Sequence, residues 1–180
     1  MDRLIPITEK KAITAKYLNT PVGLLIEYHN LKRKFDNYQK AQLLIGMCMD
    51  NRKVLRLPPN FAYMIRTGGG NLRFCDFYIS YTIAIGNVPA LALIAHNDCG
   101  MANLFQVQDR FVKGLVDNAG WNYHQATEHF KNEAPVFEIK NEIDFVLGET
   151  ARLRLKYPKI MIAPLFYRVE DNLLYFIKED

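Results

Sequence analysis

Hydrophobic positions follow two rhythms along this chain, and each predicts its own kind of element. Short, nearly unbroken apolar runs at 41–47, 61–65, 89–96, 160–169 and 173–177 predict strands. Between them, Leu24, Tyr28, Leu31 and Phe35 recur at helical spacing with charges interspersed. Thr20 is suited to cap that helix and Pro21 to open it, which predicts a helix over 21–35. Phe74, Phe77, Tyr78, Tyr81 and Ile85 predict a second helix with one aromatic face and Gly86 as its stop. Ile143, Val146, Leu147, Thr150 and Leu153 predict a third, with Arg152, Arg154 and Lys156 on its outer face and Pro158 at its end. Weaker patterns predict short helices at 8–17 behind Thr8, at 103–116, and at 123–132 closed by Pro135. Glu170-Asp171-Asn172 reads as the turn of a terminal hairpin.

Strands alternating with helices imply an α/β fold with a mostly parallel central sheet, flanking helices and a C-terminal antiparallel hairpin or edge strand. No repeat, linker or low-complexity tract divides the 180 residues, so the expectation is a single domain over 1–180 in which 1–36 form a helical N-terminal arm. Hydrophobic residues make up 49% of the chain and charged residues 23%, the mix of a globular protein rather than a disordered one. The net charge is +4, and the basic residues are scattered in groups as small as Lys32-Arg33-Lys34. This reads as a solvated helix surface, with no nucleic-acid partner expected. No apolar run approaches the length of a bilayer span, so no membrane partner is expected either. Three cysteines and no apolar N-terminal core point to a cytoplasmic location.

The chemistry gathers at two strand ends. The run at 41–47 delivers Cys48, followed by Asp50 and Arg52, which share a face for as long as the chain stays extended. The run at 89–96 delivers His96 and then Cys99, just before a potential helix start. Two thiols and one imidazole make a three-ligand zinc set that leaves a fourth position open. Loops at the carboxyl ends of parallel strands converge on a crevice, so the placement agrees with the chemistry. Cys75, in a Phe-rich segment, reads as a packed and inert thiol.

The order Cys48-x-Asp50-x-Arg52, then the turn Arg66-Thr67-Gly68-Gly69-Gly70, then His96-Asn97-Asp98-Cys99-Gly100-Met101, resembles the signature of the beta-class carbonic anhydrases. The resemblance is strong over 42–101, and beyond it only the strand and helix pattern agrees. It departs at Asn51, where the family usually has Ser, at Thr67-Gly68, and in the short Arg52 to Arg66 connection holding Pro58-Pro59. What it implies is zinc on Cys48, His96 and Cys99, with Asp50 as a fourth ligand in an inactive form of some members. It implies reversible hydration of carbon dioxide to bicarbonate and a proton, by a zinc-bound hydroxide that Asp50 orients and Arg52 keeps in place. It also implies a homodimer or higher even homo-oligomer, with the aromatic helix over 74–85 at the contact and the N-terminal arm extended over the neighbouring subunit, packing of that arm on its own domain being the alternative. Two alternatives stand beside it: hydrolysis of carbonyl sulfide or carbon disulfide at the same site, and a non-catalytic zinc protein.

Overall fold

A computed structural model describes residues 3–179. Its strands are β1 (Leu4–Pro6), β2 (Leu43–Cys48), β3 (Ala62–Thr67), β4 (Ala90–His96), β5 (Met161–Arg168) and β6 (Leu173–Ile177). They form one sheet in the order β1-β6-β5-β4-β2-β3. From β3 to β5 the pairing is parallel, while β6 and β1 are added antiparallel, so the expected hairpin is the β5–β6 pair. The helices are α1 (Pro21–His29), α2 (Asp76–Ala84), α3 (Gln108–Ala119), α4 (Tyr123–Phe137) and α5 (Glu142–Lys156).

Strand alternation sorts β2 between two cores. Leu43, Ile45 and Met47 face α1, where Val22, Leu25 and Ile26 are fully buried. Leu44 faces the opposite way, into a core shared with Ile79 of α2 and with Val146 and Leu153 of α5. A strand covered on both faces has no polar side to show, which is why β2 and β4 are buried along their whole length. Cys75 belongs to the α2–α5 core, as expected of an inert thiol.

Four expectations need correction. Residues 8–17 hold only a 3-10 turn at Lys10–Ala12, and the strand before it, β1, is too short to show any periodicity. Its conformation comes from pairing with β6, a partner more than a hundred residues away. The helix expected over 21–35 stops at His29. There the Asn30 side chain donates to the carbonyls of Ile7 and Leu174 and accepts from Leu174 N, and Lys32 adopts a positive φ of 57° that no helix allows. The arm is therefore one strand, one 3-10 turn and one helix laid on its own sheet. The helix expected from 103 begins as a 3-10 turn at Leu104–Val107 and becomes α3, which Gly120 ends at φ 70°. Lastly, α4 runs through Pro135 to Phe137. Pro135 lies in the last turn, so the backbone bond it cannot donate is lost only near the helix end, and burial of Phe130 and Ala134 holds that turn in place.

Candidate metal centre

Cys48 closes β2, His96 closes the adjacent parallel strand β4, and Cys99 follows in the turn beyond. The structure brings one donor atom from each to within 4.8 Å of the others. All three residues are buried, at 4%, 1% and 5% exposure. The turn carrying Cys99 is held from several sides. Asn97 Oδ1 accepts from Val169 N at 2.9 Å, and Asn97 Nδ2 donates to Glu170 at 2.6 Å, so the turn is tied to the end of β5. Ile139 N donates to Met101 O, which braces the same turn against the segment before α5.

The arrangement suits a metal ion on two counts. Cys48 Sγ and Cys99 Sγ lie 3.9 Å apart and form no disulfide. A tetrahedral zinc with sulfurs at about 2.3 Å sets them about 3.8 Å apart. His96 Nδ1 lies 2.8 Å from Asn97 O, and donating to that carbonyl puts the ring lone pair on Nε2. His96 Nε2 is buried with no hydrogen-bond partner. A buried imidazole nitrogen without a partner, beside two sulfurs, is a poor arrangement for packing and a good one for coordination.

The surroundings favour one thiolate of the two, at Cys48. The hydrogen bond to Cys99 pulls the Cys48 thiol down most, against the opposing effect of burial, and contacts from His96 and the backbone of Asp50 add to it. Cys99 is pushed up by that same contact and by burial, while the backbone N–H of Met101 favours its ionised form. Two sulfurs this close titrate as a pair, and ionising one disfavours ionising the other.

Asp50 and Arg52 stand at the rim. The strand ends at Cys48, so a turn and not continued extension sets their relation: Asp50 Oδ1 accepts from Arg52 N at 2.9 Å. Arg52 Nε lies 3.1 Å from each Asp50 oxygen, and Nη2 donates to Oδ2 at 2.7 Å. These bonds from Arg52, working against burial, hold the Asp50 carboxyl well below the usual carboxylate range. The clustered donor atoms are those of Cys48, His96 and Cys99, and the Asp50 carboxylate is turned to Arg52 instead.

Sequence reasoning passed over three residues here. Asp98 accepts from Arg52 Nη1 at 2.6 Å, so the guanidinium lies between two carboxylates. Arg66 of β3 donates to Lys53 O at 2.8 Å and pins the loop after Asp50. Lys53 itself is buried. Asp98 and Arg66 lay inside the quoted motifs without a role, and nothing about Lys53 distinguished it from a surface lysine. The glycine turn has a visible task. Gly69 and Gly70 take positive φ of 64° and 72°, and a Cβ on Gly70 would lie 3.5 Å from Cys48 N, so the turn seats directly against the ligand strand.

No protein-family model and no curated protein matches the sequence. Solved structures do match. The beta-carbonic anhydrase isoform I of Trichomonas vaginalis aligns over 82% of this chain and 90% of its own, with a TM-score of 0.61 and 18% identity. The carbonic anhydrase of Glaciozyma antarctica aligns over 78% and 85%, with a TM-score of 0.56 and 25% identity. A carbon disulfide hydrolase in its apo form aligns over 78% and 80%, with a TM-score of 0.56 and 20% identity. A six-stranded sheet, mostly parallel and flanked by helices, with two sulfurs and an imidazole at adjacent strand ends, thus gives this chain the fold of the beta-carbonic anhydrases.

Proposed function

We propose that the chain is a zinc enzyme that hydrates carbon dioxide reversibly to bicarbonate and a proton. The observation that carries this reading is the buried cluster of Cys48 Sγ, Cys99 Sγ and the bare His96 Nε2, with an ionised Asp50 locked by Arg52 at its rim. Zinc held there would supply the Lewis acidity that turns water into a nucleophile near neutral pH. Everything else falls to the chain. Cys48, His96 and Cys99 hold the ion and leave one position open. Asp50 would accept a hydrogen bond at a carboxylate oxygen from the O–H of the nucleophile and so orient its attacking lone pair. Arg52 keeps that carboxylate ionised and turned from the metal. The fold is shared with a carbon disulfide hydrolase and does not by itself select the substrate; what supports carbon dioxide is the 25% identity to the Glaciozyma antarctica carbonic anhydrase, with which the donor chemistry agrees.

A second face supports assembly. Phe74, Phe77, Tyr78, Tyr81 and Ile85 project from α2 and its flanks into solvent, Phe77 with 77% of its surface exposed. Tyr63 and Met64 of the edge strand β3 are exposed as well. So much aromatic surface suits a homodimer contact. No helix among the described residues is long and apolar enough to cross a membrane.

One preparation tests these readings. Purified protein should contain zinc near one ion per chain, hydrate carbon dioxide, and sediment as a dimer or larger. Sulfide release from carbonyl sulfide or carbon disulfide with negligible hydration would move the substrate to the rival class. Zinc without turnover on any of the three, at any pH between about 6 and 9, would leave a non-catalytic zinc protein.

A further inference from the structure

Among the described residues, the buried side-chain nitrogens and oxygens without a hydrogen-bond partner are Arg3 Nε, Lys53 Nζ, Thr67 Oγ1 and His96 Nε2. All but the first belong to residues in the donor cluster or neighbouring it. His96 Nε2 is the nitrogen donor of the cluster, and Thr67 pairs in register with Cys48 across β3 and β2. Lys53 follows Cys48 by one short turn, with its carbonyl held by Arg66. Of these residues, the function proposed above uses only His96.

Lys53 is the anomaly. It is 1% exposed, and its ammonium has no acceptor. A buried, unpaired cation is among the most costly groups a fold can contain, and a methionine of similar reach would fill the space without that cost. Burial weakens the hold of Lys53 on its proton, while the charges of Cys48, Asp50 and Cys99 strengthen it and Arg66 opposes them. Its counter-charges are therefore the site's own sulfurs and carboxylate.

We propose that Lys53 is a positioning residue that makes the centre an anion receptor: its sealed ammonium favours a monoanion of the bicarbonate class at the open position of the bound metal. This rests on the metal centre proposed above. Two thiolates cancel the charge of a divalent ion, so the loaded Cys48–His96–Cys99 centre is neutral and has little electrostatic preference for an anion over water. A fixed positive charge nearby restores that preference. Because Lys53 Nζ has no exposed surface, it acts through its field and not by touching the ligand.

The test compares the full-length wild type with Lys53→Met and Lys53→Gln, each loaded with cobalt(II) in place of zinc. Metal content is measured first, and the cobalt absorption spectrum is then titrated with sodium bicarbonate. All three should hold one metal per chain, and both variants should bind bicarbonate about tenfold more weakly or worse, as expected for a unit charge acting over roughly 10 Å at an effective dielectric of about 20. Gln keeps a hydrogen-bonding head without the charge, so equal losses in Met and Gln identify charge as the cause. Unchanged bicarbonate affinity in a metal-loaded variant, even with a higher melting temperature, would overturn the proposal and leave the metal centre standing. A wild type that takes up no metal would overturn both.

Discussion

Arg52 and Arg152 each lie between two carboxylates, one at the rim of the donor cluster and the other between α2 and α5. Arg152 donates to Glu149 through Nε and Nη2 and to Asp76 through both terminal nitrogens, and Lys156 also donates to Asp76. Glu149, with 2% of its side chain exposed, has been taken out of water and depends on that guanidinium. Arg52 also spans two acids, but its outer partner Asp98 is 78% exposed and loses little if released. The same motif thus fastens two helices in one place and aims a single carboxylate in the other. Burial of the acid decides which, and the number of hydrogen bonds does not.

Breaking each pair should separate the two roles. Arg52→Ala is expected to lower carbon dioxide hydration about a hundredfold, in the range for losing an oriented acid–base group. Zinc content and melting temperature should stay near wild type, and a large drop in melting temperature with full turnover per folded molecule would reverse the assignment. Arg52→Ala also frees Asp50 to close on the metal, which a cobalt spectrum would register as a change in coordination. Arg152→Ala should do the opposite: destabilise the fold by about 2 kcal/mol, less than a fully buried pair because the guanidinium is partly wet, with turnover kept at low temperature. Urea denaturation measures the first and a stopped-flow assay the second.

The smallest effect concerns acid. Burial would raise the Asp76 carboxyl, but its contacts with Arg152 and Lys156 outweigh burial and leave it lowered. A carboxylate lowered on folding contributes stability that is whole above its unfolded value of about 3.9 and is lost as pH falls through the folded value. Between pH 5 and 3, the urea midpoint of wild type should therefore fall more than that of Asp76→Asn. Parallel slopes would mean that the α2–α5 fastening carries no share of the acid sensitivity.

The strands at the centre of the sheet were legible because burial on both faces writes a long apolar run. The hairpin β5–β6 was legible because its turn is polar and short. What escaped was decided at a distance. β1 owes its form to β6, and α1 ends where Asn30 reaches the backbone of Ile7 and Leu174. The donors Cys48, His96 and Cys99 could be named because they sit at or just past strand ends in a recognisable order. Asp98 and Lys53 could not be given roles, since an aspartate and a lysine in polar loops read as solvated until their neighbours are known.

Cys48 and His96 lie on neighbouring strands, yet β3 and α2 intervene between them along the chain. A nascent polypeptide accordingly owns no local chelate: the two residues become neighbours only once the crossover is complete and β4 has slotted in beside β2. Uptake of an ion at this cluster would then be a late event in maturation, and it would certify that the sheet has closed in its proper register.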